Sequence, residues 1–368
     1  MKSIGVVGCG NISGIYLKNL TGVFRNVTVL ACGDLDADKA REAAAKHGIP
    51  RILTFEEMLA CPEIDIILNI TTPGLHYGVS RRALEAGKSV YSEKPLAMTF
   101  AQGRELVELA REKGLYLGCA PDTFLGAGLS AAREAISAGM IGRPFAGAAF
   151  MMCSGHESWH PSPEFYYKKG GGPLFDMGPY YITALVELLG PVERVSAINS
   201  RTYSERIITS QPKYGQTVGV EVDTHCAALL HFADGATVTL VTSFDVCKHS
   251  MPEMELYGTL GSLRIPDPNG FGGPVLCASR EEGEYRRLPL ISAYSGNCRG
   301  LGLAEMALAM EERRRCFACG ELGLHVLEVM EGIQRSSDER HEIAIGSRPP
   351  APGSFDRTAP FGVLRVVK

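Results

Sequence analysis

The first 123 residues alternate short apolar runs with stretches of helical periodicity, and this pattern constrains the fold more than any other feature of the chain. Segments that alternate in this way form right-handed βαβ units, which build a doubly wound parallel sheet. We therefore predict an α/β Rossmann domain over residues 1–123. The predicted strands are Ser3–Gly8, Val27–Cys32, Asp65–Ile70, Ser89–Ser92 and Tyr116–Ala120, and the predicted helices are Ile12–Leu20, Ala37–His47, Leu75–Ala86 and Ala101–Lys113.

The pattern changes after about residue 125, where one helix leads into longer strand-like runs. Residues 233–235 (Ala-Asp-Gly) are a hairpin turn signal between two of these runs. We predict an α+β domain with a mostly antiparallel sheet over residues 124–345, closed by helices at Leu301–Arg315 and Glu321–Ser336. The proline-containing residues 346–368 are predicted to form an extended tail on the surface.

The composition is that of a globular protein, with 45% hydrophobic and 21% charged residues and a net charge of −4. No basic cluster indicates a nucleic-acid partner, and no apolar run reaches the roughly 18 residues of a membrane span. Because a strand pattern begins directly after Met1 and Lys2, we expect no signal peptide and a cytoplasmic protein with reduced cysteines. The CxxC pair of Cys316 and Cys319 lacks further ligands, so we predict no metal site.

A glycine-rich turn follows the first predicted strand and opens the first predicted helix. It is the GxGxxG dinucleotide fingerprint with Ser13 in the third glycine position. Glycines in the first two positions allow a tight turn and let backbone N–H groups approach a pyrophosphate at the helix N-terminus. We assign to cofactor binding Gly8, Gly10, Asn11 and Ile12. The alternative is a simple glycine turn without a ligand.

An acidic residue ends the second predicted strand. The carboxylate of Asp34 can accept hydrogen bonds from both hydroxyls of an adenosine ribose, and it would repel a 2′-phosphate. We therefore expect NAD as the cofactor, with NADP disfavoured. The alternative is that Asp34 caps the helix that begins near Ala37, a task that Asp36 could also perform.

Several motifs, spread over nearly the whole chain up to about residue 345, belong to one pattern. They are Thr71-Thr72-Pro73-Gly74-Leu75-His76, residues 83–88, Ser92-Glu93-Lys94-Pro95-Leu96, the glycine-rich Gly170–Gly178 and residues 255–262. Together they resemble the Gfo/Idh/MocA family, the glucose-fructose oxidoreductase and inositol dehydrogenase group. The resemblance implies a Rossmann domain followed by a domain with an open-faced β-sheet. It also implies the use of NAD or NADP on sugars, cyclitols and related polyols.

The resemblance assigns roles around the Glu-Lys-Pro triplet. The family lysine lies beside the nicotinamide and touches the reacting hydroxyl, which makes Lys94 a predicted catalytic, cofactor-binding and substrate-binding residue. A cation at the carboxyl end of a central strand can stabilise a developing alkoxide, whereas the alternative is a solvated lysine. Glu93 would hold this lysine or the nicotinamide ribose, unless it is a plain exposed acid. The loop that passes the ribose is matched by Thr71, Thr72, Pro73 and His76. For His76, a position at the helix start without a cofactor contact is an equal alternative.

The segment after the glycine run departs from the family pattern. Relatives usually read Asp-x-Gly-x-His-x-x-Asp, where this chain has Asp176, Tyr180 and Thr183. We predict that Lys94 and Tyr180 share the proton transfer, with Lys94 favouring the phenolate and Asp176 orienting the sugar or the lysine. The alternative is a Tyr180 that packs or gives the substrate one hydrogen bond.

Residues 156–167 contain the only tryptophan of the chain, two histidines and three further aromatic residues, just before the glycine run. Such a loop suits stacking on the apolar face of a pyranose, and the alternative is a plug between the domains. We predict substrate contacts for Trp159, His160 and Tyr166. Asp122, beyond the end of the strand at Tyr116–Ala120, is expected to face the same cleft.

The combined prediction is an NAD-dependent oxidoreductase that transfers a hydride between nicotinamide and a secondary hydroxyl of a sugar, glycoside or cyclitol. One alternative is redox-assisted glycoside cleavage with NAD recycled in the site, and another is a non-catalytic, dinucleotide-bound sensor or regulatory subunit. Beyond a small carbohydrate or polyol, the expected partner is a second copy of the chain. An open sheet face needs covering, which favours a homodimer or homotetramer.

Overall fold

The computed structural model of the protein describes residues 1–353 and 362–364. Its first part is a six-stranded parallel sheet in the order β3-β2-β1-β4-β5-β6 with helices between the strands, which confirms the predicted Rossmann fold. The strands are β1 (Lys2–Val7), β2 (Val27–Gly33), β3 (Arg51–Ile52), β4 (Ile66–Asn69), β5 (Ser89–Ser92) and β6 (Leu117–Cys119). The helices are α1 (Ser13–Gly22), α2 (Ala37–His47), α3 (Phe55–Ala60), α4 (Pro73–Glu85) and α5 (Phe100–Lys113).

The central strands of this sheet are buried without alternation because helices cover both of its faces. Every residue of β4 and β5 is buried, as are the last four residues of β1. The strand order reverses between β1 and β4, and open α/β sheets bind ligands in the crevice outside the carboxyl ends at such a point. The glycine turn follows β1, the Thr71 loop follows β4 and the Glu-Lys-Pro triplet follows β5, so all three motifs meet at this edge.

The second part is a nine-stranded sheet in the order β16-β15-β14-β13-β7-β12-β11-β8-β17. Among the described residues, the β7–β12 pair is the only parallel one in this sheet, which confirms the prediction of a mostly antiparallel sheet. The strands are β7 (Pro144–Met152), β8 (Val192–Ser200), β9 (Glu205–Ile207), β10 (Thr217–Gly219), β11 (His225–Phe232), β12 (Thr237–Ser243), β13 (Met254–Gly258), β14 (Gly261–Ile265), β15 (Leu276–Ser279), β16 (Arg286–Arg287) and β17 (Ile343–Ala344). The helices are α6 (Ala127–Ser137), α7 (Gly172–Leu189), α8 (Leu301–Glu312) and α9 (Gly320–Glu339), and β9 and β10 form a separate two-stranded sheet.

One face of the large sheet is covered and the other is open. Helix α7 packs on β7, β11 and β12, and α9 packs on β8 and on the Rossmann helix α5. On the opposite face Ile198 of β8 is 78% exposed and Leu229 of β11 is 50% exposed, while β11 buries every second side chain. The sheet therefore has the open face that the family resemblance implies.

Helix α7 is the main element that the sequence pattern did not predict. Sixteen of its 18 residues are buried, so it has no exposed polar stripe. Two glycines precede it, Gly172 begins it and Pro179 lies inside it, and these features normally indicate a turn or a break. Its correct placement matters because Asp176 and Tyr180 lie one turn apart on this helix.

Two further expectations concern the C-terminal tail and the absence of a membrane span. Part of the predicted C-terminal tail, residues 354–361 and 365–368, lies outside the described residues. Within residues 1–353 and 362–364, no helix has the length and apolar character that crossing a membrane requires.

Candidate active site

The glycine turn after β1 is shaped for a close backbone approach. Gly8 has a φ of +102°, and a Cβ there would lie 2.8 Å from the carbonyl oxygen of Ile70, so only glycine fits without strain. A Cβ on Gly10 would meet no atom of the described chain within 4 Å, which leaves room in front of the turn. Ile12 is the N-cap residue of α1, and its side chain accepts no hydrogen bond. The first N–H groups of the helix are therefore not capped by this side chain. These features fit the pyrophosphate of a dinucleotide, and Asn11 lies exposed in the same turn.

Asp34 follows β2 and faces the glycine turn. Its Oδ2 accepts a hydrogen bond of 2.6 Å from the backbone N–H of Cys9, and its Oδ1 accepts one of 2.9 Å from the N–H of Asp36. The cap of α2 is Asp36, whose side chain accepts from the N–H of Asp38. The alternative that Asp34 caps α2 is therefore wrong, and the contact of its carboxylate with an adenosine ribose stays a prediction.

His76 links the loop after β4 to the loop after β5. Its Nδ1 lies 2.7 Å from the carbonyl oxygen of Pro95, and its Nε2 lies 3.0 Å from that of Thr71. The ring is buried, which lowers the pKa of His76, so the neutral form with one N–H prevails. Thr72 and Pro73 are the N-cap and first residue of α4. The single N–H can donate to only one of these two carbonyl oxygens, and the ring lies between the two cofactor-side loops.

Glu93 is buried and its carboxylate is already bound on both oxygens. Oε1 accepts a hydrogen bond of 2.7 Å from the hydroxyl of Tyr16 on α1, and Oε2 accepts one of 2.9 Å from the backbone N–H of Lys94. The carboxylate thus connects the first Rossmann helix to the Glu-Lys-Pro loop. It does not bind the Lys94 ammonium, which we had expected as one of its two roles.

Lys94 forms an ion pair with Asp176 across the two domains. Its Nζ donates to Asp176 Oδ1 at 2.9 Å and to the Asp176 carbonyl oxygen at 2.5 Å, and both side chains are less than one-fifth exposed. Burial alone lowers the pKa of Lys94, but Asp176, Tyr180 and Glu93 together outweigh it and the pKa is raised. Burial also raises the pKa of Asp176, but Lys94 and His156 together outweigh this and lower it to about 2. The site therefore holds a permanent cation and a permanent carboxylate at neutral pH.

His156 is a site residue that the sequence reasoning left out of its assignments. Its Nε2 lies 3.3 Å from Asp176 Oδ2, so one carboxylate holds both the imidazole and the Lys94 ammonium. The indole N–H of Trp159 donates to His156 Nδ1 at 3.2 Å. The ring packs edge-on against Tyr166 and Phe244, with centroids 4.3 and 4.5 Å away. The only available sequence signal was its position in the aromatic loop.

The environment of Tyr180 differs from the prediction. The Lys94 Nζ lies over the face of the Tyr180 ring, 5.1 Å from its centroid, so the two groups make a cation–π contact. Burial raises the pKa of Tyr180 even though Lys94 and Arg299 favour the phenolate. Arg299, 6.0 Å from the same ring, is a further neighbour that the sequence did not indicate. The expectation that Lys94 makes the phenolate accessible is therefore not met.

The three predicted substrate contacts of the aromatic loop (residues 156–167) differ in their exposure to solvent. Trp159 is 60% exposed, whereas Tyr166 is buried beneath the loop. His160 uses Nδ1 to accept the backbone N–H of Ser162, and its ring packs edge-on against Tyr166. Trp159 is therefore the most accessible of the three side chains.

Asp122 does not face the cleft, contrary to our expectation. It is 1% exposed, and its Oδ2 accepts the backbone N–H groups of Gly300 and Gly302 at 2.9 and 3.0 Å. Burial raises the pKa of Asp122 to about 6 despite these bonds. The strand end that we expected to point into the cleft is instead covered by the first turn of α8, and Asp122 anchors that turn.

The fold and this site define an NAD-binding oxidoreductase, and comparisons with known proteins give its family. Residues 2–120 match the oxidoreductase family with an NAD-binding Rossmann fold, and residues 129–264 match the GFO/IDH/MocA C-terminal domain. The 1,5-anhydro-D-fructose reductase of Ensifer adhaerens is 31% identical over 336 residues, which cover 88% of this chain and 92% of that protein. The chain belongs to the GFO/IDH/MocA family.

Two further relatives show the range of this similarity. The trans-1,2-dihydrobenzene-1,2-diol dehydrogenase of Sus scrofa is 26% identical over 294 residues, covering 78% of this chain and 80% of that protein. A structure of levoglucosan dehydrogenase in complex with NADH and L-sorbose has a TM-score of 0.81 at 18% identity, covering 94% of this chain and 99% of that one. The prediction of an NAD-dependent oxidoreductase for sugar-type hydroxyl groups is confirmed, and glycoside cleavage and a non-catalytic sensor are not favoured.

Proposed function

We propose that the protein oxidises a secondary hydroxyl of a cyclic sugar or polyol, with NAD held by the glycine turn and Asp34. The observation that carries this proposal is the buried ion pair of Lys94 and Asp176 at the carboxyl end of β5. It places a fixed cation beside the cofactor loops, where negative charge develops on the oxygen of the reacting alcohol. When bound, NAD supplies the acceptor for the hydride that leaves the reacting carbon.

Lys94 acts in this proposal as an electrostatic catalyst. Asp176 keeps the ammonium charged and fixes its direction by accepting two hydrogen bonds, one at the carboxylate and one at the backbone carbonyl. A preorganised charge of this kind stabilises an alkoxide without reorganisation during the reaction, and removing one such donor typically costs a factor of ~10²–10³ in kcat. Glu93 and His76 hold the loop that carries the lysine.

The proton of the reacting hydroxyl needs an acceptor, and neither predicted residue is suited to this task. Lys94 keeps its proton because the Asp176 carboxylate raises the pKa of the ammonium. Tyr180 keeps its proton because burial raises the pKa of the phenol. We infer that Tyr180 contributes a hydrogen bond or packing on the substrate side. The acceptor has to be a different group.

The shape of the site favours a ring-shaped substrate. Trp159 is exposed beside His156, and an indole face stacks well on the apolar face of a pyranose or a cyclitol. The relatives named above are a reductase of an anhydro sugar and a dehydrogenase of a cyclic diol. A cyclic polyol with vicinal hydroxyls is therefore the substrate class that we propose.

An absorbance screen at the NADH band tests this function. Purified protein is incubated with NAD and a panel of pyranoses, anhydro sugars, cyclitols and cyclic diols, and the same panel is repeated with NADP. We expect NADH formation with at least one cyclic polyol and slower turnover with NADP. A panel that forms no NADH, together with no consumption of NADH by the matching ketones, would contradict the proposal.

Two further observations bear on the cellular compartment and the oligomeric state of the enzyme. The eleven cysteines are all free thiols, which supports a reducing compartment such as the cytoplasm. The open face of the large sheet exposes apolar side chains, including Ile198 and Leu229. A homodimer or homotetramer that covers this face is our expectation, and analytical ultracentrifugation measures it directly.

A further inference from the structure

His156 has a defined tautomer in this structure, and its neighbours determine it. An indole N–H can only donate, so the bond from Trp159 requires an unprotonated Nδ1 on His156. In the neutral ring the proton then lies on Nε2, which donates to Asp176 Oδ2 at 3.3 Å. The imidazole is thus oriented by a carboxylate on one nitrogen and presents a lone pair on the other. This is the arrangement of a general base whose tautomer is fixed by an acid.

We propose that His156 accepts the proton of the reacting hydroxyl at Nδ1, and that Trp159 occupies this nitrogen until the substrate hydroxyl replaces it. The assignment rests on the oxidoreductase function proposed above. In the oxidation, the O–H proton moves to His156 Nδ1 and the oxygen becomes a carbonyl. The hydrogen on the reacting carbon leaves with its electron pair to NAD, the oxidant.

Asp176 holds both side chains of this assignment. Its Oδ1 holds the Lys94 ammonium and its Oδ2 holds the His156 imidazole. His156 Nδ1 lies on the side of the imidazole away from Asp176, and the substrate hydroxyl reaches it there in place of the Trp159 indole. After the transfer, the imidazolium remains beside the same carboxylate, which stabilises its charge.

The loop is built to hold His156 still and to let Trp159 move. His156 is wedged between Tyr166 and Phe244, and its side chain is 12% exposed. The next residue, Glu157, is fixed by an ion pair with Arg206 at 2.8 Å. Trp159 is 60% exposed, so displacing its indole removes little buried surface. A substrate ring could then stack on the indole after it has turned away from the imidazole.

Two substitutions test the role of His156 in turnover. His156→Ala removes the base, and His156→Gln keeps an N–H that can reach Asp176 but has no basic nitrogen. We expect kcat to fall at least 10²-fold in both variants, since a general base contributes ~10²–10⁴-fold. Added imidazole should restore part of the turnover of His156→Ala. Tyr180→Phe serves as the matched control, because no base is removed there and imidazole should not accelerate it.

The single tryptophan allows a readout that does not depend on turnover. Protein labelled with ¹⁵N-tryptophan gives one indole N–H signal, that of Trp159. We expect this signal to shift when NADH and a saturating polyol from the screen are added to the wild-type enzyme. In free His156→Ala the signal should already lie away from its wild-type position, since the acceptor is missing. NADH affinity and thermal melting of both variants establish that they are folded.

The proposal fails if either variant keeps kcat within tenfold of wild type. It also fails if imidazole does not rescue His156→Ala, or if the indole signal of the wild type is unchanged by saturating polyol. These outcomes are distinguishable from a failure of the proposed function, because in that case the wild type itself turns over no polyol. An active wild type with an equally active His156→Ala would overturn the assignment of His156 alone.

Discussion

The dinucleotide side and the substrate side of the cleft are built from different kinds of chemical group. On the dinucleotide side, the turn begins at Gly8, where only glycine fits without strain, and we propose that the carboxylate of Asp34 binds the ribose. On the substrate side, Lys94, His156, Asp176 and Arg299 are charged or titratable side chains from distant segments. The first side should therefore be sensitive to backbone conformation, and the second to the loss of single functional groups.

The largest expected effect is on the substrate side. Lys94→Ala removes the cation that we propose faces the reacting oxygen, and we expect kcat to fall by at least 10²-fold, or about 3 kcal/mol of transition-state stabilisation. The affinity for NAD, measured by titration of the free enzyme, should stay within a few-fold. Lys113→Ala is the control, because this lysine is exposed at the end of α5 and donates to the carbonyl of Glu85. A Lys94→Ala enzyme with a tenth or more of the wild-type kcat would contradict the role of the ammonium.

A pair of glycine substitutions tests the dinucleotide side. Gly8→Ala forces a side chain into a φ of +102° and against the Ile70 carbonyl, which should cost about 1–3 kcal/mol of unfolding free energy. A Cβ at Gly10 meets no described atom within 4 Å, so the unfolding free energy of Gly10→Ala should stay within about 0.5 kcal/mol of wild type. Its methyl group would instead occupy the approach to the pyrophosphate and weaken NAD binding. Denaturant unfolding and NAD titration measure the two effects, and equal losses of stability would contradict this division.

Residues in short local motifs could be predicted from the sequence, whereas residues placed by long-range contacts could not. The glycine turn, Asp34 and Lys94 lie in short motifs at strand ends, so their positions followed from the βαβ pattern and the family resemblance. His156 has no such local signal, because its role depends on a contact with Asp176 on another element. Asp122 was misplaced for a related reason, since the helix that covers it begins some 180 residues further along the chain. Long-range packing, which a single sequence does not display, decided both cases.

A smaller effect is expected at Asp34. Asp34→Ser shortens the side chain and removes the charge that opposes a 2′-phosphate, so the preference for NAD over NADP should narrow by several-fold. The same change loses the carboxylate bonds to the N–H groups of Cys9 and Asp36, so NAD affinity should fall as well. Asp34→Asn is the informative control, because it removes the charge but keeps an acceptor. Wild-type protein that binds NADP as tightly as NAD would remove the basis of this prediction.

The smallest expected effect is at Tyr180. Tyr180→Phe removes one hydroxyl but keeps the ring over which the Lys94 ammonium lies, so the cation–π contact survives. One hydrogen bond contributes about 0.5–1.5 kcal/mol, and a bond made equally in the ground and transition states raises KM without lowering kcat. We therefore expect kcat to stay within about tenfold and most of the loss to appear in KM, as measured by steady-state kinetics with the polyol from the screen. If kcat instead fell by about 100-fold or more, Tyr180 would be a proton relay, and a second titratable group would act beside His156 on the substrate side.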